Sequence, residues 1–177
     1  MSIVIRPVRL PQDADAVEAL DADVETDAIL AALPSENGFD LLVMGDRALK
    51  RYPLEDIFVE DDSWESAWVA IENDAICGFA ATQYRPWNRR LVVRHLYVDA
   101  SSRKKGIGWR LMEAIQAEAD QRGALHIWAE ISNRNLPGIE AFKAMGFQIT
   151  GLDLTHYDGT ESEGEFAVFL NRALDLN

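Results

Sequence analysis

Arg103-Lys104-Lys105-Gly106-Ile107-Gly108 sets three bases beside two glycines within one short stretch. Glycine lets a backbone come close to a ligand, a helix beginning there presents unpaired N–H groups and a positive dipole end, and the bases add full charges. The chemistry this suits is the holding of phosphate, with a glycine turn carrying solvated bases as the alternative. It is not a P-loop, which needs GxxxxGK[ST], nor a dinucleotide fingerprint, because Leu111 stands where the third glycine would fall. His95, His126 and His156 lack the spacing of a metal site or a nucleophilic triad, so no metal is expected. The single cysteine, Cys77, lies in the apolar run AICGFAA and reads as a small buried hydrophobe. One cysteine excludes an internal disulfide, a thiolate zinc cluster and a CxxC redox pair.

The elements that must position the loop are legible on both sides of it. Leu91 to Val98 is rich in β-branched residues and predicts a strand, while Ile107, Leu111, Ile115 and Ala119 recur at helical spacing up to Gly123. Upstream, Trp64 to Ile71 alternates, Asn73-Asp74 supplies a turn, and Ala75 to Tyr84 completes a hairpin. Ser2 to Arg9 reads as a strand. Pro11 to Leu33 carries apolar residues partly at helical spacing, with seven acids between Asp13 and Asp27, and predicts one or two helices. Residues Phe39 to Asp62 are expected to be loop or short helix. Downstream, a strand is expected at Ala124 to Ile131, a short helix at Pro137 to Met145, and closing strands at Phe147 to Leu154 and Glu165 to Leu170.

With 177 residues, 48% of them hydrophobic and 27% charged, the chain fits one soluble domain over residues 1–177. No apolar run approaches the roughly 20 residues of a membrane span, no export signal is visible, and a cytoplasmic location is expected. The net charge of -13 argues against nucleic acid as a partner and suits a cationic one. The charge is also unevenly spread. Residues Pro53 to Asp74 hold eight acids and no base, whereas Arg85 to Arg110 hold eight bases against Asp99 alone.

The series LVVRHLYVDASSRKKGIGWRLMEAI resembles the acetyl-CoA segment of the GNAT superfamily of N-acetyltransferases, whose pattern is a strand, then [RQ]xxGx[GA], then a helix. NRNLPGIEAFKAMGF matches that superfamily's second signature, an Asn followed by a short helix ending in GF. The likeness implies an α/β fold: a single-domain mixed sheet with N-terminal helices and an acetyl-CoA cleft between two splayed parallel strands. It implies that backbone N–H groups of Arg103, Lys104, Lys105, Gly106, Ile107 and Gly108 hold the pyrophosphate. Leu96, Tyr97 and Val98 would pair with the pantetheine arm, or serve simply as sheet core. A strand bulge would aim one N–H at the thioester carbonyl, and Val98 is the expected donor. Asn135 either touches the cofactor arm or caps the next helix. Phe142, counted among the cofactor contacts, replaces the tyrosine that in many members protonates the departing thiolate, so another group serves or the thiolate leaves unaided. Trp109 would pack on the cofactor or on the protein.

The segments GFQITGLDLTHYDGTESEGEFAVFL and WAEISNRNLPGIEAF further resemble streptothricin acetyltransferases within that superfamily. This implies a small cationic amine as acceptor, streptothricin through its β-lysine amine, with a polyamine, another aminated antibiotic or a protein amine as alternatives, or a CoA-binding module with little catalysis. Asp61, Asp62, Asp158 and Glu165 would then orient the cation, or form a solvated surface. An amine of free pKa ~10 needs a base. Glu130, alternating with Trp128 on the strand beside the cofactor strand, is the candidate, and Tyr157, or else Tyr97, would replace the acid missing at Phe142. A homodimer is a further expectation from the family.

Overall fold

The computed structural model describes residues 3–55, 57–60, 64–157 and 163–174. The strands are β1 (Val4–Pro7), β2 (Val24–Ser35), β3 (Gly38–Lys50), β4 (Ser66–Glu72), β5 (Ala75–Arg85), β6 (Arg90–Val98), β7 (His126–Ser132), β8 (Gln148–Asp153) and β9 (Ala167–Ala173). The helices are α1 (Ala14–Glu18), α2 (Ile57–Glu60), α3 (Ile107–Arg122) and α4 (Leu136–Ala144), with 3-10 turns at Pro86–Asn88 and Ala100–Ser102. The chain divides into two compact units, one of Met1–Ala22, Tyr52–Ala129 and Arg172–Asn177, the other of Asp23–Arg51 and Glu130–Asn171. No helix is long and apolar enough to cross a membrane.

In the first unit the strands lie in the order β1-β4-β5-β6-β7. The pairs β1–β4, β4–β5 and β5–β6 are antiparallel, and β6 meets β7 in parallel. The β4–β5 hairpin closes through Asn73 (φ 52) and Asp74 (φ 64), residue types that tolerate the left-handed backbone a two-residue turn requires. Phe79 and Ala81 turn to one face of the sheet and join Val17, Leu20, Leu54, Ile57 and Val69 in a buried cluster. The opposite face receives α3 through Ile107, Leu111 and Ile115, each 0–1% exposed. Gly78 permits that approach: a Cβ there would lie 3.1 Å from Ile107 Cγ2 and 3.2 Å from Leu111 Cδ1. Farther along α3 the buried Glu118 accepts hydrogen bonds from Ser66 Oγ at 2.6 Å and Thr82 Oγ1 at 2.5 Å, fixing the helix against β4 and β5.

In the second unit β2 and β3 form a long antiparallel hairpin, and β9 lies between the end of β7 and β8. The helical reading of Pro11 to Leu33 is therefore corrected. Only Ala14–Glu18 is helical, Val24–Ser35 is a strand, and the first half of the stretch expected as loop or short helix, Phe39 to Asp62, is its partner strand, with the short helix α2 further on. The hairpin signal was Asn37-Gly38 between two apolar runs, where Glu36-Asn37 form the turn and Ser35 pairs Gly38. Asn133 ties this unit together. Its Nδ2 donates to Leu30 O at 2.9 Å, its Oδ1 accepts from Phe166 N at 2.9 Å, and its carbonyl accepts from Leu30 N at 3.0 Å. A fully buried amide is stable only when its groups are paired in this way.

Candidate active site

In the first unit, β6 carries a bulge. Ala81 pairs with His95 and Thr82 with Val93, which makes Arg94 the extra residue of the bulge. Past the bulge the ladder is regular, with Asp99 N–H donating to Cys77 O at 3.0 Å and Tyr97 opposite Phe79. Antiparallel alternation then turns the N–H and C=O of Tyr97 toward β5, and the N–H groups of Leu96 and Val98 away from it. Pairing with β7 covers Arg90 to Val93. Leu96 and Val98 thus offer two donors along one open edge. Tyr97 is corrected as a backbone contact for pantetheine, since its own groups face β5 and its ring lies 5.6 Å from that of Tyr52.

The loop that follows is held from below. Arg103 Nε donates to Val98 O at 3.1 Å and its Nη2 to Asp21 O at 3.3 Å, so its guanidinium fastens the turn. Lys105 Nζ is 2.8 Å from Glu72 Oε2. Asp99 accepts from Ser101 Oγ at 2.6 Å and Asp21 N–H at 3.1 Å, and the Ser101 hydroxyl foremost keeps its carboxyl below the usual range. Lys104 (φ 64) and Gly106 (φ 82) are both left-handed, so successive N–H groups curve around one concavity. The first N–H of α3 to bond within the helix is that of Arg110, to Gly106 O, leaving those of Ile107, Gly108 and Trp109 directed out of its N-terminus. This cradle fits a pyrophosphate.

The second unit brings together Glu130 and Tyr157, which the sequence nominated separately. The Tyr157 hydroxyl donates to Glu130 Oε1, while Glu130 Oε2 lies 3.7 Å from His156 Nε2. Glu130 lies two residues before the end of β7, half-buried, with its side chain 30% exposed. The His156 ring stands edge-on to that of Tyr157, with centroids 5.1 Å apart. Lys50 Nζ lies 5.1 Å above the Tyr157 ring and 2.8 Å from Glu165 Oε1, which also accepts from Ser132 Oγ at 2.5 Å. A carboxylate with one oxygen on a phenol and the other turned to an imidazole can accept a proton and hand it on.

Two further expectations change, and Asn135 takes up one of its two expected roles. Glu165 is no surface acid for a cation, because it is 7% exposed and already paired with Lys50. Phe142 is core, packed edge-on against Phe147 at 5.0 Å. Asn135 caps α4, its Oδ1 accepting from Gly138 N–H at 2.9 Å. Asp61, Asp62 and Asp158 lie outside the described residues. Sequence reasoning missed Lys50, which sits in the unrecognised hairpin, and passed over His156 for want of metal spacing, although its place beside Tyr157 was a usable signal.

The model of the Acetyltransferase (GNAT) family matches residues 36–147. A streptothricin acetyltransferase of Streptomyces lavendulae is 38% identical over 170 residues, 91% of this chain and 90% of that protein. A streptothricin acetyltransferase of Escherichia coli is 27% identical over 70% of this chain and 69% of that protein. The crystal structure of nourseothricin acetyltransferase superposes with a TM-score of 0.88 at 35% identity, covering 99% of this chain and 100% of the other.

Proposed function

We propose, for a chain that belongs to the acetyltransferase (GNAT) family and is an acetyl-CoA-dependent N-acetyltransferase, that the acceptor is streptothricin, modified on the primary amine of its β-lysine arm. The observation that carries the acceptor is the 38% identity to a streptothricin acetyltransferase across 91% of the chain. The eight acids of residues 53–74 suit the same polycation.

Acetyl-CoA supplies an acetyl group already activated as a thioester. The amine nitrogen attacks the carbonyl carbon, a C–N bond forms as the C–S bond breaks, and the sulfur leaves as thiolate. Glu130 takes the proton that the amine sheds, directly or through water. Tyr157, bonded to the same carboxylate, fills the role left empty by Phe142: its hydroxyl proton passes to the sulfur while Glu130 returns the amine's proton to the phenol oxygen. An ammonium acceptor sheds two protons in becoming an amide: the first leaves through Glu130 to solvent and frees the lone pair, and the second passes from nitrogen through Glu130 and Tyr157 to sulfur, so the pair ends as it began. The N–H of Val98, with that of Leu96 beside it, meets the charge that develops on the carbonyl oxygen. Backbone N–H groups from Arg103 to Gly108 hold the pyrophosphate.

The family match runs through residues of both units, which supports one catalytic domain over 1–177. A cytoplasmic homodimer completes the reading. Thiol release from acetyl-CoA, with streptothricin and in parallel with polyamines, aminoglycosides and a lysine peptide, tests it. Fast release is expected with streptothricin alone. Release with a different amine would discard the acceptor and keep the donor chemistry, and silence with every amine would overturn catalysis.

A further inference from the structure

Lys50 ends β3 with its side chain 16% exposed and is paired with Glu165, whose side chain is 4% exposed. An ion pair this far out of water loses to desolvation much of what it gains, so its place calls for an account other than stability. The pair is closely fixed. Glu165 Oε1 lies 2.8 Å from Lys50 Nζ and also accepts from the hydroxyl of Ser132, the last residue of β7, at 2.5 Å. Held there, the ammonium lies 5.1 Å from the centroid of the Tyr157 ring, over its face. The hydroxyl of that ring donates to Glu130 Oε1. His156 is turned to the same carboxylate, 3.7 Å from Glu130 Oε2, and Lys50 to the phenol ring. Tyr157 thus has a carboxylate at its oxygen and a cation over its face.

That arrangement answers a difficulty in the proton path. A phenol of free pKa ~10 is a weak donor to the thiolate of a thiol of free pKa ~8.5. A carboxylate bonded to the hydroxyl weakens it further, because it opposes the negative charge that forms on the phenol oxygen. A nearby cation acts the other way, and it attracts a phenolate more than a neutral ring because a full charge adds to the ring's quadrupole. We propose that Lys50 is a positioning residue for the acid step: its ammonium, fixed by Glu165, stabilises the charge on Tyr157 while the hydroxyl proton passes to sulfur and until Glu130 returns a proton to the phenol oxygen. The inference rests on the reading of Tyr157 as the acid and adds the group that makes it a strong enough one.

The test measures thiol release by the full chain with streptothricin as acceptor. Lys50→Met alone would strand the Glu165 carboxylate in the interior, so it is combined with Glu165→Gln, whose amide oxygen still accepts from Ser132. The double variant should lower kcat about tenfold, part of the roughly 10²–10⁴ that a placed acid contributes, and leave the KM for acetyl-CoA unchanged. Lys50→Arg keeps the cation and should retain most of kcat. In a Tyr157→Phe background the double change should cost nothing further, since no hydroxyl is left to assist. Equal losses in both backgrounds would make the ion pair structural and overturn the proposal, as would an unchanged kcat with Tyr157 present. Full activity of Tyr157→Phe by itself would remove Tyr157 as the acid, and Lys50 with it, so the failure of that reading is distinguishable from a failure of Lys50 alone. The thermal midpoint reports whether the double variant is folded, and Lys50→Gln, which is neutral yet keeps a donor for Glu165, must give the same pattern in both backgrounds.

Discussion

Glu130→Gln removes one negative charge and one proton acceptor while keeping the shape of the side chain. The amide oxygen still accepts from Tyr157, whose hydroxyl now meets Glu130 Oε1, and the other end still faces His156 at 3.7 Å. General-base catalysis is worth about 10²–10⁴-fold, so kcat near pH 7 should fall by that factor, roughly 3–5 kcal/mol of barrier. The deficit should depend on pH. For an acceptor amine of free pKa ~10, about one molecule in a thousand is neutral at pH 7, and that fraction rises tenfold per pH unit. Solvent thus does more of the deprotonation as pH rises, and the gap between the variant and the parent should narrow by up to about a hundredfold between pH 7 and 9. The assay is continuous thiol release at saturating acetyl-CoA across that range, with the dissociation constant of CoA measured beside it and expected to stay unchanged. Full activity, or a deficit that is the same at every pH, would remove Glu130 from the proton path.

Tyr157→Phe should lower kcat and leave the KM for acetyl-CoA unchanged, and combining it with Glu130→Gln should cost little beyond the larger single effect, since the two residues share one proton; additive losses would separate them. Gly106→Asp places a side chain at φ 82 and a carboxylate in the phosphate cradle, so CoA affinity should fall sharply in calorimetry, and unchanged affinity would refute the cradle. Glu118→Ala strands the hydroxyls of Ser66 and Thr82 in the core and should lower stability to urea by about 2–4 kcal/mol. Asp13 is buried and its carboxyl is held below the ordinary range, first by the Arg6 guanidinium at 2.7 Å and then by Arg9 N–H. A depressed folded-state value means that its stabilisation is complete above the unfolded value of about 3.9 and is lost as pH falls through the folded one. The stability gap between the parent and Asp13→Asn should therefore be constant above pH ~4 and shrink as pH falls from there toward the lower folded-state value; a gap that does not shrink with acidification would refute the charge-based account.

The cofactor half was the more legible because its signals are local. A β-branched run, a glycine loop and a helix follow one another over Leu91 to Gly123, and the contacts that seat the loop join it to near neighbours, to β4 and, at longer range, to Asp21. The Asn73-Asp74 hairpin is legible for the same reason. The cluster in the second unit is assembled from Lys50, Glu130, His156 and Glu165, far apart in sequence, and no spacing rule relates them. Glu130 and Tyr157 could be named by type and by likeness, but their hydrogen bond could not. Glu165 looked like a free acid because its partner Lys50 lies on the hairpin over 24–50, whose first strand has apolar residues partly at helical spacing and whose second carries no clear period. Apolar runs such as AILAAL and LLVM fit either period, and the turn at Glu36-Asn37 that decides between them follows Pro34, which also suits a helix end.

The most direct test of the central claim is to incubate the purified protein with acetyl-CoA and streptothricin and locate the acetyl group by tandem mass spectrometry while counting the thiol released. The account predicts acetyl on the β-lysine primary amine, one thiol for each acetyl, and none on the protein. Donor consumed without acetylated streptothricin, or acetyl found at another position of the acceptor, would contradict it.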